Sequence, residues 1–82
     1  MEVVLHSKPG CKYCDLAETL LNDMQVLYSK VMYDPADADY VARRDAMFCA
    51  HGHRSFPNVF VNGEFIGGYE QLLELFDSDS DF

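Results

Sequence analysis

The sequence predicts a single α/β domain in which a four-stranded mixed sheet is flanked by three helices, in the order β-α-β-α-β-β-α. Short apolar runs alternate along the chain with stretches of helical periodicity, which indicates strands connected by helices. Near the C terminus an Asn62-Gly63 pair separates two apolar runs, which is typical of a tight β-hairpin. The 82 residues suffice for one core, so we expect one domain over residues 1–77 and a frayed acidic tail over 78–82.

The first half of the chain is predicted to hold two strands and two helices. The apolar run from Val3 to Leu5 is typical of a buried strand, and a turn over 7–10 leads into a helix. The inward positions of this helix are Cys14, Ala17, Leu20 or Leu21, and Met24. A second strand is expected from Gln25 to Tyr33, before Asp34 and Pro35. A second helix would follow to Cys49, with Asp37 or Asp39 as its cap and Ala38, Val41 or Ala42, Ala46 and Cys49 inward.

The second half predicts a hairpin followed by a helix. After a loop over 51–55, strands are expected from Phe56 to Val61 and from Glu64 to Gly67. The last helix follows from apolar residues at helical spacing, namely Tyr69, Leu72, Leu73 and Phe76. Strands joined by a helix are parallel, and a hairpin adds an antiparallel pair. With helices on both faces, this arrangement is the thioredoxin-like fold in a small form.

Two cysteines three residues apart are the strongest chemical signal in the chain. Cys11 is expected on the first turn of the first helix, where free N–H groups and the helix dipole lower a thiol pKa from its ordinary value of about 8.5. Lys8 and Lys12 add positive charge nearby. Cys14, one turn further on, is placed to close a disulfide with Cys11, so the spacing predicts redox chemistry.

Charge and cysteine content narrow the setting. Six basic against fourteen acidic side chains give a net charge of −8, which argues against nucleic acid or an anionic membrane as a partner. The basic residues near the cysteines could form a small cationic patch suited to a carboxylate, or they could be dispersed and solvated. Three cysteines are too few for a disulfide scaffold. No leader or membrane-spanning run is apparent, so a reducing, cytoplasmic location is expected.

Three motifs, in order and at similar spacing, resemble those of glutaredoxins. Cys11-Lys12-Tyr13-Cys14 matches the family's C-x-Y-C, Ser55-Phe56-Pro57 matches its T-V-P, and Gly67-Gly68-Tyr69-Glu70-Gln71 matches its G-G-x-x-D. The resemblance covers nearly the whole chain and is greatest to short bacterial and phage members.

The resemblance implies a glutathione-dependent thiol–disulfide oxidoreductase that acts on protein disulfides and glutathionyl mixed disulfides. Cys11 would be the nucleophile, Cys14 the resolving thiol, and Pro57 a cis proline. The positions that match glutathione-binding residues are Lys8, Tyr13, Arg54, Phe56, Pro57, Gly68, Tyr69, Glu70 and Gln71. Glutathione is the expected reductant, protein disulfides the expected substrates, and a monomer the expected state. Ribonucleotide reductase is a partner of similar members.

Three residues depart from the family pattern. Lys12 replaces a proline, which removes a rigid residue and adds a charge. Phe56 replaces a small β-branched residue, which would narrow the groove or make it more apolar. Gln71 stands where aspartate is usual, so the contact to the amino group of glutathione would depend on Glu70.

Other functions remain open at this stage. A zinc site would need ligands from Cys49, His51 and His53, whose spacing does not suit zinc, so no metal is expected and Cys49 is interpreted as a half-buried apolar side chain. One alternative is a carrier of a [2Fe–2S] cluster held by Cys11 thiolates of two subunits and two glutathiones. Another is a hydrogen donor reduced by thioredoxin reductase rather than by glutathione.

Overall fold

The computed structural model describes residues 1–77, and its elements follow the predicted order. The strands are β1 (Val3–Ser7), β2 (Tyr28–Met32), β3 (Asn58–Val61) and β4 (Glu64–Gly67), and the helices are α1 (Lys12–Asp23), α2 (Tyr40–His51) and α3 (Tyr69–Asp77). The tail predicted over 78–82 lies outside the described residues. No helix within residues 1–77 is long and apolar enough to cross a membrane.

The strands form one mixed sheet in the order β2-β1-β3-β4. Strand β1 is parallel to β2, where Leu5 lies opposite Lys30, and antiparallel to β3, where Leu5 lies opposite Val59. Strands β3 and β4 form the expected hairpin, and Asn62 and Gly63 have φ angles of 52° and 81°. Two consecutive positive φ angles give the turn whose twist matches that of the strands. The predicted thioredoxin-like fold is confirmed.

The two faces of the sheet carry separate apolar clusters. Helices α1 and α3 pack on one face over a core whose buried residues are Val3, Leu5, Ala17, Leu21, Val59, Leu72 and Phe76. Helix α2 covers the other face with a smaller cluster, in which Met47 and Phe48 pack with Tyr33. Because side chains alternate along a strand, β1 gives Leu5 to the first cluster and places His6 beside Tyr33 of the second. The predicted placement of helices on both faces is confirmed.

The end of α1 and the start of β2 differ from the prediction. The segment expected to begin the strand instead closes the helix, since the Gln25 N–H donates to Asn22 O at 3.0 Å and the Val26 N–H donates to Leu21 O at 2.9 Å. The positive φ of Gln25, 59°, turns the chain away from the helix axis. Met24, predicted to face inward, is 46% exposed for the same reason.

The start of β3 also lies later than predicted. The strand begins at Asn58 rather than at Phe56, because Pro57 has no N–H to donate to a neighbouring strand. The Phe56–Pro57 peptide bond is cis, as the family resemblance implies.

The predicted inward face of α2 is wrong. Ala46 and Cys49 are exposed, and the buried residues of the helix are Met47 and Phe48. These two larger side chains bury more apolar surface, so they set the rotation of the helix on the sheet. Cys49 is therefore an exposed free thiol and not a half-buried one.

The ends of α2 also refine the prediction. Asp39 occupies the N-cap position, but its side chain makes no capping hydrogen bond. His51, expected in a loop, is the last helical residue, and Gly52 ends the helix with a left-handed φ of 71°. That conformation suits glycine, because it has no Cβ.

Candidate active site

Cys11 and Cys14 form a disulfide at the start of α1, with their Cα atoms 5.2 Å apart. Cys11 is the N-cap residue, one position before the predicted first turn, and its Sγ accepts a hydrogen bond from the Cys14 N–H at 3.2 Å. A sulfur at this position faces the partial positive charge of the helix N-terminus, which favours its anionic form once it is reduced. Cys11 is 8% exposed and Cys14 only 1%, so Cys11 is the more accessible of the two.

Phe56 connects the disulfide to the α2 side of the sheet. Its carbonyl oxygen lies 3.8 Å from Cys11 Sγ, which brings the segment before Pro57 against the reactive sulfur. Its ring turns the other way and packs at 5.3 Å from both Tyr33 and Phe48. From the sequence, Phe56 is expected to narrow the groove or to make it more apolar. Much of its bulk instead lies in the cluster under α2.

A groove of about 350 Å³ runs from α1 to the start of α3. Its size is within the range of about 300–1,000 Å³ that is typical of ligand sites. The predicted site residues that line it are Tyr13, Phe56, Pro57, Gly68, Tyr69, Glu70 and Gln71. We call it the α3 groove. In its wall the rings of Tyr13 and Tyr69 lie 6.1 Å apart. His53 and Ser55 also line it, and neither had been predicted as a site residue.

A second groove lies on the other side of Cys11. It is about 470 Å³ in volume, and we call it the basic groove because Lys8, Arg44 and Arg54 line it. Tyr40, Phe48 and Phe56 form apolar parts of its wall, and Lys8 Nζ lies 5.8 Å from the centre of the Phe56 ring. Half of the six basic residues therefore gather beside Cys11, in a chain with a net charge of −8.

Of the remaining basic residues, Lys12 directly follows Cys11, but Arg43 and Lys30 lie elsewhere, so the predicted patch is only partly formed. Arg43 sits over the Tyr33 ring at 4.5 Å, and Lys30 pairs with Glu18 at 3.2 Å. Arg44 also donates to Asp45 at 3.0 Å, which offsets part of its charge in the basic groove. Arg44 was missed as a site residue because the rotation of α2 was predicted wrongly.

The start of α3 forms one end of the α3 groove. The Gly68 N–H donates to Oε1 of Gln71 at 2.9 Å, and the Leu72 N–H donates to Gly68 O at 3.1 Å. Gln71 thus supplies the half of a capping box in which the side chain returns to the N-cap amide. The other N–H groups of a first helical turn have no partner within the helix, which makes this end suited to a carboxylate.

Gly68 is tightly enclosed. A Cβ added to it would lie 2.9 Å from His53 Nε2 and 3.3 Å from the carbonyl oxygen of Pro57. A side chain at this position would therefore contact His53 before it entered the groove. This contact could not be predicted from the sequence, because the two residues belong to different elements.

No candidate metal site is found in the part of the chain that the structure describes. Residues 1–77 contain no group of three or more histidine, cysteine or acidic residues that could hold a metal ion. Cys49 and His51, which a zinc site would have required, lie on α2, and the His51 ring stacks on Phe65 at 4.8 Å.

The sequence matches the glutaredoxin family model over residues 3–66. It is 43% identical over 67 residues to mitochondrial glutaredoxin-2 of Bos taurus, and the aligned region covers 80% of this chain and 41% of that protein. It is 36% identical over 80 residues to glutaredoxin-1 of Saccharomyces cerevisiae, which covers 90% of this chain and 70% of that protein. The chain thus spans about two fifths of the length of the mitochondrial relatives it matches.

Solved structures agree with the sequence matches. A buckwheat glutaredoxin–glutathione complex superposes with a TM-score of 0.85 at 28% identity, covering 94% of this chain and 69% of that one. The holo form of glutaredoxin C1 from Populus tremula x tremuloides superposes with a TM-score of 0.86 at 30% identity, covering 94% and 75%.

Proposed function

Because this chain belongs to the glutaredoxin family, we propose that it is a glutathione-dependent thiol–disulfide oxidoreductase in which Cys11 is the nucleophile and Cys14 the resolving thiol. The observation that carries the proposal is the position of the Cys11–Cys14 disulfide. It lies at a helix N-terminus, beside the Phe56 carbonyl, and between two grooves.

The reaction is thiol–disulfide exchange. The Cys11 thiolate attacks one sulfur of a substrate disulfide, forming a mixed disulfide and releasing the other sulfur as a thiolate. Cys14 then attacks Cys11 Sγ, which frees the second substrate thiol and leaves the Cys11–Cys14 disulfide. Two glutathione molecules return the pair to dithiols in two further exchanges and leave as glutathione disulfide. The greater exposure of Cys11 supports its role as the first nucleophile.

Glutathione is an extended tripeptide with a carboxylate at each end, and the two grooves suit these ends. We place its γ-glutamyl carboxylate at the start of α3, near Gly68, Glu70 and Gln71, where backbone N–H groups and the helix dipole favour an anion. Its glycyl carboxylate would reach the basic groove, toward Lys8 and Arg54.

The centre of the tripeptide would lie between these ends. Its sulfur would meet Cys11, and its backbone would pair with that of Phe56 as a short added strand. Tyr13, Pro57 and Tyr69 would form the walls of the site. This placement uses the nine glutathione-binding positions that the resemblance implies.

The deciding experiment is a coupled assay with a small disulfide substrate, glutathione and glutathione reductase, run beside the same assay with thioredoxin reductase. Turnover should require glutathione and Cys11, and Cys49→Ser should leave it unchanged, since Cys49 is exposed on α2 and lines neither groove. Turnover with thioredoxin reductase and none with glutathione would instead support the hydrogen-donor alternative.

The partner, location and oligomeric state belong to the same proposal. Protein disulfides are the proposed substrates, ribonucleotide reductase is one candidate, and a monomer in the cytoplasm is the proposed state. Fractionation would test the location, which matters because several relatives are named as mitochondrial. The visible absorbance of freshly purified protein tests the alternative of a [2Fe–2S] carrier.

A further inference from the structure

His53 occupies a defined position in the α3 groove. It follows Gly52, the C-cap of α2, and its side chain is half-buried. Its Nε2 lies 3.2 Å from Ser55 Oγ, and its ring lies 5.9 Å from that of Phe65 on β4. These contacts hold the imidazole at the wall of the groove rather than in solvent.

The same imidazole edge lies against the start of α3. An ideal Cβ on Gly68 would be 2.9 Å from Nε2 and 3.2 Å from Cε1 of His53, so the ring sits where a side chain of residue 68 would be. Glu70 and Gln71 line the groove next to it. A carboxylate bound at this helix start would therefore have the imidazole on one side and the backbone of α3 on the other.

We propose that His53 binds the γ-glutamyl carboxylate of glutathione and glutathionylated substrates. The inference rests on the proposed function and adds a side chain that recognises the ligand. A neutral imidazole has one N–H, and its contact with Ser55 occupies one ring nitrogen as donor or acceptor. A protonated imidazole donates from both nitrogens and carries a positive charge, which strengthens a hydrogen bond to a carboxylate.

Glu70 on α3 is the carboxylate that lines the same groove as this imidazole, whereas Arg54, adjacent in sequence, lines the basic groove. The N-terminus of α3 contributes partial positive charge. On β4 the neighbour is the neutral Phe65 ring, on which His51 of α2 also stacks, so His51 is a second imidazole close by.

The test measures binding of S-methylglutathione, which has both carboxylates but no thiol to react, by NMR titration of the disulfide form. His53→Ala should bind this ligand about threefold to fivefold more weakly than the wild-type protein at the same pH, the effect of one partly exposed charged contact. The matched control His51→Ala should bind it as the wild-type protein does.

Two results would overturn the inference. One is an affinity for S-methylglutathione that is unchanged in His53→Ala. The other is an equal loss of affinity in His53→Ala for S-methyl-cysteinylglycine, which lacks the γ-glutamyl group. Failure of the proposed function would look different, since the wild-type protein would then show no glutathione-dependent turnover in the coupled assay at any pH.

Discussion

The backbone N–H of Gly68 donates to the side-chain Oε1 of Gln71 at 2.9 Å, so residue 71 caps the helix in which it lies. Aspartate is usual at this position in similar sequences, but its shorter side chain would not extend as far back to the amide. The departure from the family motif thus has a structural role in this chain.

Removing this cap should destabilise the protein. Gln71→Ala deletes the acceptor of the Gly68 N–H, and loss of a helix cap costs about 0.5–2 kcal/mol. We expect a value near the lower end, because Gln71 is exposed and water can replace it. Urea denaturation measures the free energy of unfolding, and Glu74→Ala, at another exposed position of α3, is the control. Equal losses in the two variants would show that the cap contributes nothing.

The two cysteines should differ in their roles. Cys11→Ser is expected to abolish all activity, because only Cys11 lies at the helix N-cap and is accessible to a substrate. Cys14→Ser should keep glutathionyl transfer and lose the reduction of protein disulfides, which needs a second thiol. Assays with a glutathionylated peptide and with a protein disulfide separate these activities. An inactive Cys14→Ser beside an active Cys11→Ser would reverse the assignment.

Reversing the charge at Lys12 should raise the pKa of the reduced Cys11 thiol. Lys12 is the first residue of α1 and directly follows Cys11, so Lys12→Glu replaces a favourable charge with an unfavourable one. The ultraviolet absorbance of the Cys11 thiolate can be followed against pH in a Cys14→Ser background. With Lys12→Glu added, this absorbance should appear at a higher pH than in the Cys14→Ser parent. Thr19→Glu, two turns further along α1, is the control. If Lys12→Glu titrated like its parent, the helix N-terminus alone would account for the acidity.

Stability should depend on pH through His6. Burial, followed by the positive charge of His51 and Arg43, lowers the pKa of His6 below 6.5. The unfolded chain therefore takes up a proton before the folded protein does, and stability falls as the pH drops from about 6.5 to the folded-state pKa. The slope from one group is at most about 1.4 kcal/mol per pH unit.

His6→Gln should reduce this slope, since glutamine can still hydrogen-bond to the Tyr33 hydroxyl, which lies 2.8 Å from His6 Nδ1, but does not titrate. Urea denaturation at several pH values gives the measurement. Ser29→Gln, an exposed change on β2 that adds no titrating group, controls for the substitution itself. A slope that persists in His6→Gln would assign the pH dependence to other groups.

A side chain at Gly68 should impair the use of glutathione. In Gly68→Val the new Cβ would meet His53 Nε2 at 2.9 Å and Pro57 O at 3.3 Å, so the wall of the α3 groove must shift. We expect a higher KM for glutathione and an unchanged titration of Cys11, with Thr19→Val as the control. Adding His53→Ala should relieve one clash but not restore the KM, because the Pro57 carbonyl remains and the proposed contact of His53 with the ligand is lost. A normal KM in Gly68→Val would mean that glutathione binds elsewhere.

Features that neighbouring residues determine can be predicted from the sequence, whereas features that depend on distant contacts cannot. The Asn62-Gly63 turn and the inward positions Cys14, Ala17 and Leu21 of α1 follow from neighbouring residues, and the structure has them as predicted. The rotation of α2 depends on how Met47 and Phe48 pack on Tyr33, which comes from another element. That contact is not visible in a helical pattern with two adjacent apolar residues and several alanines.

The same distinction applies to the site. Seven of the predicted residues line one groove because the family motifs fix their positions. Arg44 and His53 were not predicted as glutathione-binding residues, because neither belongs to a motif. The packing of α2 brings Arg44 to the basic groove, and the loop after α2 brings His53 to the α3 groove. The contact of His53 with Gly68 joins residues that are far apart in the chain.

The position of Phe56 offers a route to engineering this protein. Its carbonyl lies beside Cys11 Sγ, while its ring is clamped between Tyr33 and Phe48 on the reverse side of the sheet. Phe48 on α2 packs against this ring and also forms part of the wall of the basic groove. A library of apolar replacements at Phe48 would therefore adjust the reactive centre and that wall together, and leave every motif residue intact.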